Sequence, residues 1–308
     1  MYLFAKENQY RTEQPAFEVF FVILHPVIEN NGITFPFFVY VKKSTIEMNR
    51  SLPPVVKNIL IINVILYLAT LMLPTILRRW GVDMRLEDVL GMHYFGSEKF
   101  NLLQVVSYMF MHGSVTHILF NMFAVYMFGP IFEQVWGSRK FLFYYLVTGI
   151  GAGLVQQLFW YVELGDVFRA MNVAVSTGSA EGLAPFTDQL SHYFRFAGDI
   201  TQLPVTEVLQ MKKDLANALL TIGASGAVFG ILLAFGWLFP EQKLFLIFFP
   251  VPIKARWFVA GYAVAELFLG VANFAGDSVA HFAHLGGMLF GVMLILYWKK
   301  KGKLYSSH

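Results

Sequence analysis

Apolar residues in this chain gather in blocks long enough to cross the roughly 30 Å of a bilayer's hydrocarbon. Such blocks recur six times, near 57–77, 115–135, 141–162, 216–238, 255–274 and 278–298. The first carries Pro74 near its end and stops at the pair Arg78-Arg79. The second contains THILFNMFAVYMFG and stops at Glu133, ahead of Gly137-Ser138-Arg139-Lys140, and the sixth runs from VAHFAHLGG into Lys299-Lys300-Lys301. This pattern predicts an all-α, polytopic membrane protein built as a bundle of six transmembrane helices.

Composition sharpens the picture. The chain has 308 residues, of which 56% are hydrophobic and 14% charged, with mean hydropathy +0.56, far from an average soluble domain. A net charge of +3, carried by basic residues scattered at helix ends, argues against nucleic-acid binding. Cysteine is absent, which excludes disulfides, thiolate metal sites and a cysteine nucleophile together.

Lys and Arg distribution gives an orientation. The 134–140 turn, the 239–256 connection and the C-terminal tail are basic, whereas the 163–214 connection carries Glu163, Asp166, Glu181, Asp188, Asp199, Glu207 and Asp214 against four basic residues. Both termini are therefore expected on the cytoplasmic side, with the acidic connections outside. The 78–101 connection, WGVDMRLEDVLGMHYF, is aromatic and amphipathic and suits a segment lying in the interface.

Three parts follow: an N-terminal extension over 1–47, a membrane domain over 48–303 that includes the long connection 163–214, and a tail over 304–308. FEVFFVILHPVI in the extension is short for a span and broken by Pro26. Met48, just ahead of the first span, makes a natural beginning, and the extension is expected to be dispensable, as an over-extended reading frame would be. In the long connection, FTDQLSHYFRFAGDI and VTEVLQMKKDLANAL are expected to form amphipathic surface helices.

Polar groups that survive at membrane depth are functional candidates, because burying them in hydrocarbon is costly. TIGASGAVFG, 221–230, holds Ser225 between Gly223 and Gly226. His117 and Asn121, four apart, project from one face of the second helix, and His281 and His284 lie three apart on the sixth. Any one of them alone is explained by helix packing or by a bond to a neighbouring helix. Together they offer a serine, which needs a base to become a nucleophile, histidines whose pKa suits that task, and donors for an oxyanion. Gly226 and Gly230, with Gly287 and Gly291, supply two smooth faces on which the fourth and sixth helices could close. HILFN lacks the H-E-x-x-H pattern of a zinc protease, and no pair of aspartates lies within the spans. No metal or other cofactor is expected.

HILFNM with His117 and Asn121, GASG with Ser225, and AHLGG with His284, in that order on the second, fourth and sixth spans, resemble the rhomboid intramembrane serine proteases over roughly residues 49 to 303. The resemblance implies a Ser225–His284 dyad, an oxyanion site from His117, Asn121 and the Ser225 backbone amide, and an aromatic support for the imidazole at Phe229. Gly223 and Gly226 flank the serine, and His112 matches a recurrent family histidine. His284 is preferred to His281 as the base, because Gly287 and Gly291 follow it at three and seven residues. Glu133, in FEQVWGSRK, reads as a structural contact. The implied activity is hydrolysis of single-span membrane proteins near the outer end of their helix, at small or helix-breaking residues, with the bilayer and water as the other partners. A bacterial inner membrane is the expected location. The rivals are an inactive relative that binds or escorts transmembrane helices, and a transporter using the histidines as a proton relay.

Overall fold

The computed structural model describes residues 51–196, 198–246, 249–272 and 280–305, together with four short strands between 19 and 42. The expected start at Met48 and the 275–277 turn lie outside the described residues. The helices are α1 Pro54–Arg78, α2 Leu86–Leu90, α3 Gln104–Ser107, α4 Val115–Trp136, α5 Ser138–Thr177, α6 Thr187–Ser191, α7 Val205–Ala218, α8 Ser225–Leu238, α9 Ala255–Ala272 and α10 His281–Lys300. Among the described residues, five of these (α1, α4, α5, α9 and α10) are long and apolar enough to cross a membrane, and α8 is a shorter apolar helix. The six predicted blocks thus correspond to six helices of an all-α bundle.

Burial within the bundle is uneven. α4, α5, α8 and α10 bury much of their surface in a core that includes Phe128, Phe132, Trp136, Tyr144, Tyr145 and Phe235. α1 and α9 lie at the edge, with Ile65, Leu71, Met72, Phe268 and Val271 more than half exposed. Such faces suit lipid, in which apolar exposure carries no penalty.

Glu133 explains how α1 is held. Its Oε1 accepts from Val55 N–H at 3.0 Å and Ser138 Oγ–H at 2.6 Å, and its Oε2 accepts from Val56 N–H at 2.9 Å. These amides are among the four that a helix start leaves without intrahelical partners, and a carboxylate there also opposes the positive end of the helix dipole. Glu133 therefore caps α1 from α4, which agrees with its structural reading.

At the same end of the bundle, Lys140 lies over the Trp298 ring at 4.3 Å and Trp136 Nε1–H donates to the Leu304 carbonyl at 2.9 Å. Leu304, expected in a tail, is itself buried against the bundle. α5 runs antiparallel to α8 and α10: near this end Tyr144 Oη–H donates to the Gly230 carbonyl, while further along α5 Ala152 faces Gly226. Arg139, Lys140 and Lys299–Lys303 thereby collect on one face and the 178–224 connection on the other.

Two expectations about the elements need correction. The third helix does not stop near 162 but continues to Thr177, 40 residues in all, because Leu164, Val167, Met171 and Ala174 continue an apolar stripe beyond the span. That stripe packs with Leu183, Leu190, Ile200, Val208, Met211 and Leu215 into a second, separate core. α7 matches the expected amphipathic helix, with Val208, Met211 and Leu215 on one face. The other segment, 186–200, is helical only over Thr187–Ser191 and turns irregularly around buried Ile200.

Strands also appear where helices alone were expected. β1 Val19–Leu24, β4 Phe37–Lys42, β7 Lys243–Leu246 and β8 Phe249–Lys254 form a sheet in the order β4-β1-β7-β8, with β1 parallel to β7 and the other pairs antiparallel. β2 Val27–Glu29 pairs with β3 Gly32–Thr34. These segments are rich in aromatic and β-branched residues, which favour extended pairing. A third pair, β5 Met92–His93 with β6 Leu220–Thr221, is antiparallel and leads directly to the serine.

Candidate active site

Ser225 is the first residue of α8, and the chain arrives there extended rather than helical. β6 is held by β5, and two residues later Gly223 N–H donates to the Tyr108 carbonyl at 2.9 Å. Gly223 has φ 126°, a region closed to ordinary side chains, and a Cβ there would stand 2.6 Å from His117 Nε2. The expected start of this span at 216 is therefore wrong: residues 216–218 finish α7, and an extended stretch precedes the serine. Irregular backbone at membrane depth survives only where protein covers it, and Leu219, Thr221, Gly223 and Ala224 are all buried. With 14 residues, α8 rises only about 21 Å, short of the hydrocarbon thickness. The serine consequently sits at an internal helix end, where first-turn amides have no carbonyl of their own helix to bond.

His284 lies in the first turn of α10, and its Nε2 stands 2.8 Å from Ser225 Oγ. The Phe229 ring, one turn beyond the serine, stacks on the imidazole with centroids 4.1 Å apart and planes within 6°. Nδ1 of His284 is 2.9 Å from Glu266 Oε2, and the same oxygen lies 2.6 Å from His281 Nδ1. Glu266 belongs to α9, and all three residues are buried. An ionised carboxylate only accepts hydrogen bonds, so with Glu266 in that form both Nδ1 atoms donate to it. A neutral His284 then has its lone pair on Nε2, directed at the serine hydroxyl.

Metal binding is the other use such a cluster could have, since one ligand atom from each of Glu266, His281 and His284 lies within 4.8 Å of the others. Around a tetrahedral zinc, ligand atoms about 2.0–2.1 Å from the ion stand about 3.3 Å apart. Separations of 2.6 and 2.9 Å are hydrogen-bond lengths. The donor set fits shared protons better than a shared cation.

His117 is in the first turn of α4, where its N–H donates to the Ser114 cap at 3.1 Å. Its imidazole borders Gly223, beside the serine. Asn121 is buried one turn on, but its Nδ2–H donates to the His117 carbonyl at 3.1 Å, so in this state the amide is bonded to its own helix. His112 is fully buried, with its ring 4.8 Å edge-on from that of His117.

The glycines work in a less symmetrical way than expected. A Cβ on Gly287 would stand 1.9 Å from the Gly226 carbonyl oxygen, so these two residues do set the approach of α8 and α10. Gly230 instead faces Thr148 of α5, and Gly291 faces the Tyr144 hydroxyl and Leu233. α5 is therefore the third wall of the close-packed centre.

Ser225, His284, His117 and Phe229 lie together, with Gly223 and Gly226 shaping the space between them. His281, passed over as the base, is buried against Glu266. Glu266 is the residue that sequence reasoning passed over. The signal was available: AVAELFLG sets an ionisable group inside an apolar span, the same rule that picked out the histidines.

A sequence model of the rhomboid domain matches residues 99–167 and 193–301, together more than half of the chain. Over 156 residues the chain is 32% identical to rhomboid protein 1, mitochondrial, of Saccharomyces cerevisiae, covering 50% of this chain and 42% of that protein. It is 27% identical over 253 residues to an uncharacterized mitochondrial rhomboid protein of Schizosaccharomyces pombe, covering 72% and 62%. Rhomboid protease GlpG of Haemophilus influenzae is 28% identical over 157 residues, covering 50% and 78%. The chain thus spans about half the length of the first two of these relatives. Those two are mitochondrial, so the expected bacterial inner membrane finds no support here, and the location stands as an integral membrane.

Proposed function

Because this chain belongs to the rhomboid family, we propose that it is an intramembrane serine endopeptidase in which Ser225 is the nucleophile and His284 the base. The observation that carries the reading is the 2.8 Å contact between Ser225 Oγ and His284 Nε2 at a helix end inside the bundle. A serine becomes nucleophilic when an adjacent base takes its proton. As Oγ bonds to the peptide carbonyl carbon, the proton passes to Nε2 and the carbonyl electron pair moves onto oxygen. The Ser225 amide and the His117 imidazole are the donors for that oxyanion, and the positive end of α8 favours charge there. His284 then gives its proton to the departing amine, and water repeats the sequence on the acyl-enzyme.

The substrate class is transmembrane segments. A peptide bond inside a membrane helix must lose helical hydrogen bonds before attack, at several kcal/mol for each group left unsatisfied in hydrocarbon. Small or helix-breaking residues near the membrane surface lower that cost. Cleavage is therefore assigned to the end of the substrate helix on the side away from the lysine-rich face, with substrate entering along the exposed edge helices.

Labelling of purified protein with a fluorophosphonate probe tests the reading. Wild type is expected to label covalently, Ser225→Ala and His284→Ala not at all, and His281→Ala, which keeps both the serine and the base, to label at a reduced rate. A folded wild type that takes no label, or label that persists in Ser225→Ala, would sink the proposal.

A further inference from the structure

We propose that Glu266 is a positioning residue for His284, extending the Ser225–His284 pair into a serine–histidine–glutamate triad, with His281 as a second clamp on the same carboxylate. The inference rests on the proteolytic reading above. Stacking of Phe229 with planes within 6° fixes the plane of the imidazole, but a phenyl ring has no polar atom to distinguish the imidazole from its 180° flip about Cβ–Cγ. That flip would exchange Nδ1 with Cδ2 and Nε2 with Cε1, and would remove Nε2 from Ser225.

Glu266 supplies the missing distinction. Its Oε2 lies 2.9 Å from Nδ1 of His284, and a flipped ring would present a C–H there. The same bond places the proton of neutral imidazole on Nδ1, which leaves Nε2 free to accept from Ser225 Oγ–H. When Nε2 takes the serine proton, the imidazolium keeps its Nδ1–H on the carboxylate, which stays ionised throughout.

The placement of Glu266 also calls for an explanation beyond helix packing. α9 is one of the least buried helices of the bundle, yet this one carboxylate turns inward and is 6% exposed. A charge removed from water is costly unless paired and hydrogen-bonded. Here the compensation comes from two histidines on α10, both through Nδ1. His281 binds the oxygen at the shorter distance, 2.6 Å, and so fixes the carboxylate in line with His284. A plain interhelical tie would need only one of these bonds.

The test uses the full chain in detergent as Glu266→Gln, Glu266→Asp and Glu266→Ala. The readouts are the fluorophosphonate labelling rate, kcat and KM on a single-span substrate, and thermal unfolding. Positioning predicts that Glu266→Gln lowers kcat by roughly 10²- to 10⁴-fold, by the tautomer argument established for serine proteases. KM and the unfolding temperature should stay near wild type, and Glu266→Asp should recover part of kcat. Wild-type kcat in Glu266→Gln, or losses in all three variants that only track lost thermal stability, would overturn it. Should Glu266→Gln not fold, 15N spectra of histidine-labelled wild type, assigned against His284→Ala, decide the matter. An Nδ1–H tautomer at His284 is expected, and an Nε2–H tautomer refutes the proposal. Ser225-dependent labelling that ignores Glu266 overturns this inference alone, whereas its absence in folded wild type overturns the proteolytic reading as well.

Discussion

Replacing Gly287 by alanine should disarm the site without touching any of its polar groups. The added methyl would stand 1.9 Å from the Gly226 carbonyl oxygen, whereas Cβ atoms essentially never come closer than 3.0 Å to another heavy atom. Since both partners are helix backbone, neither can swing aside, and α8 must part from α10 by about 1 Å at this crossing. Gly226 adjoins Ser225, and Gly287 is one turn beyond His284, so the displacement falls on the Ser225–His284 contact. A contact of 2.8 Å opens to about 3.9 Å, beyond hydrogen-bond length. A misplacement of that size costs about 10²-fold in rate, or about 2.7 kcal/mol of activation free energy. Overpacking adds about 1–3 kcal/mol of lost stability. The assay is the fluorophosphonate labelling rate beside a thermal unfolding curve. Gly261→Ala on α9, where a Cβ meets nothing within 4 Å, serves as the control and should be neutral in both. Wild-type labelling and unfolding in Gly287→Ala would refute the idea that this glycine contact sets the serine–histidine distance.

Three further outcomes are expected. Glu133→Ala removes the acceptor of three donors at the α1–α4 junction; it should cost about 3 kcal/mol of stability, measured by unfolding in denaturing detergent, while folded molecules label normally. Gly223→Ala puts a methyl against His117 at a positive φ, and labelling at or near wild-type rate would contradict the described approach to the serine. A chain beginning at Met48 should retain Ser225-dependent labelling, although among the described residues the extension reaches beyond its pairing with Lys243–Leu246 to α4, which carries His117; loss of labelling in that chain would count against its dispensability.

Most of the bundle was legible because a span needs a long apolar block and lysines mark one end of it. Ser225, His117 and His284 stood out for the complementary reason, since a polar group is conspicuous in hydrocarbon. What hydropathy could not convey is the start of α8. Leu219–Ala224 is as apolar as a helix interior, and only the left-handed backbone of Gly223 and the pairing of β6 with β5 reveal an extended entry. Glu266 escaped for a different reason. A single carboxylate in a lipid-facing helix looks like a tolerated exception until the facing histidines are in place. The second core over α5 and α7 was missed because its apolar stripe, shared among short pieces, lacks the length that flags a span.

The brevity of α8 makes it a ruler. Its last turn rests among the charged groups Glu241, Lys254 and Arg256, which pair with one another at 2.6 and 2.7 Å, and its first residue is the serine. The depth of the Ser225 hydroxyl is thus fixed by 14 residues of rigid helix, a rise of about 21 Å. A substrate helix lying alongside, anchored by its own basic residues at the same surface, would present to Ser225 the bonds about one such length from its anchor. Where the cut falls would then be counted from the far side of the membrane, in helical turns.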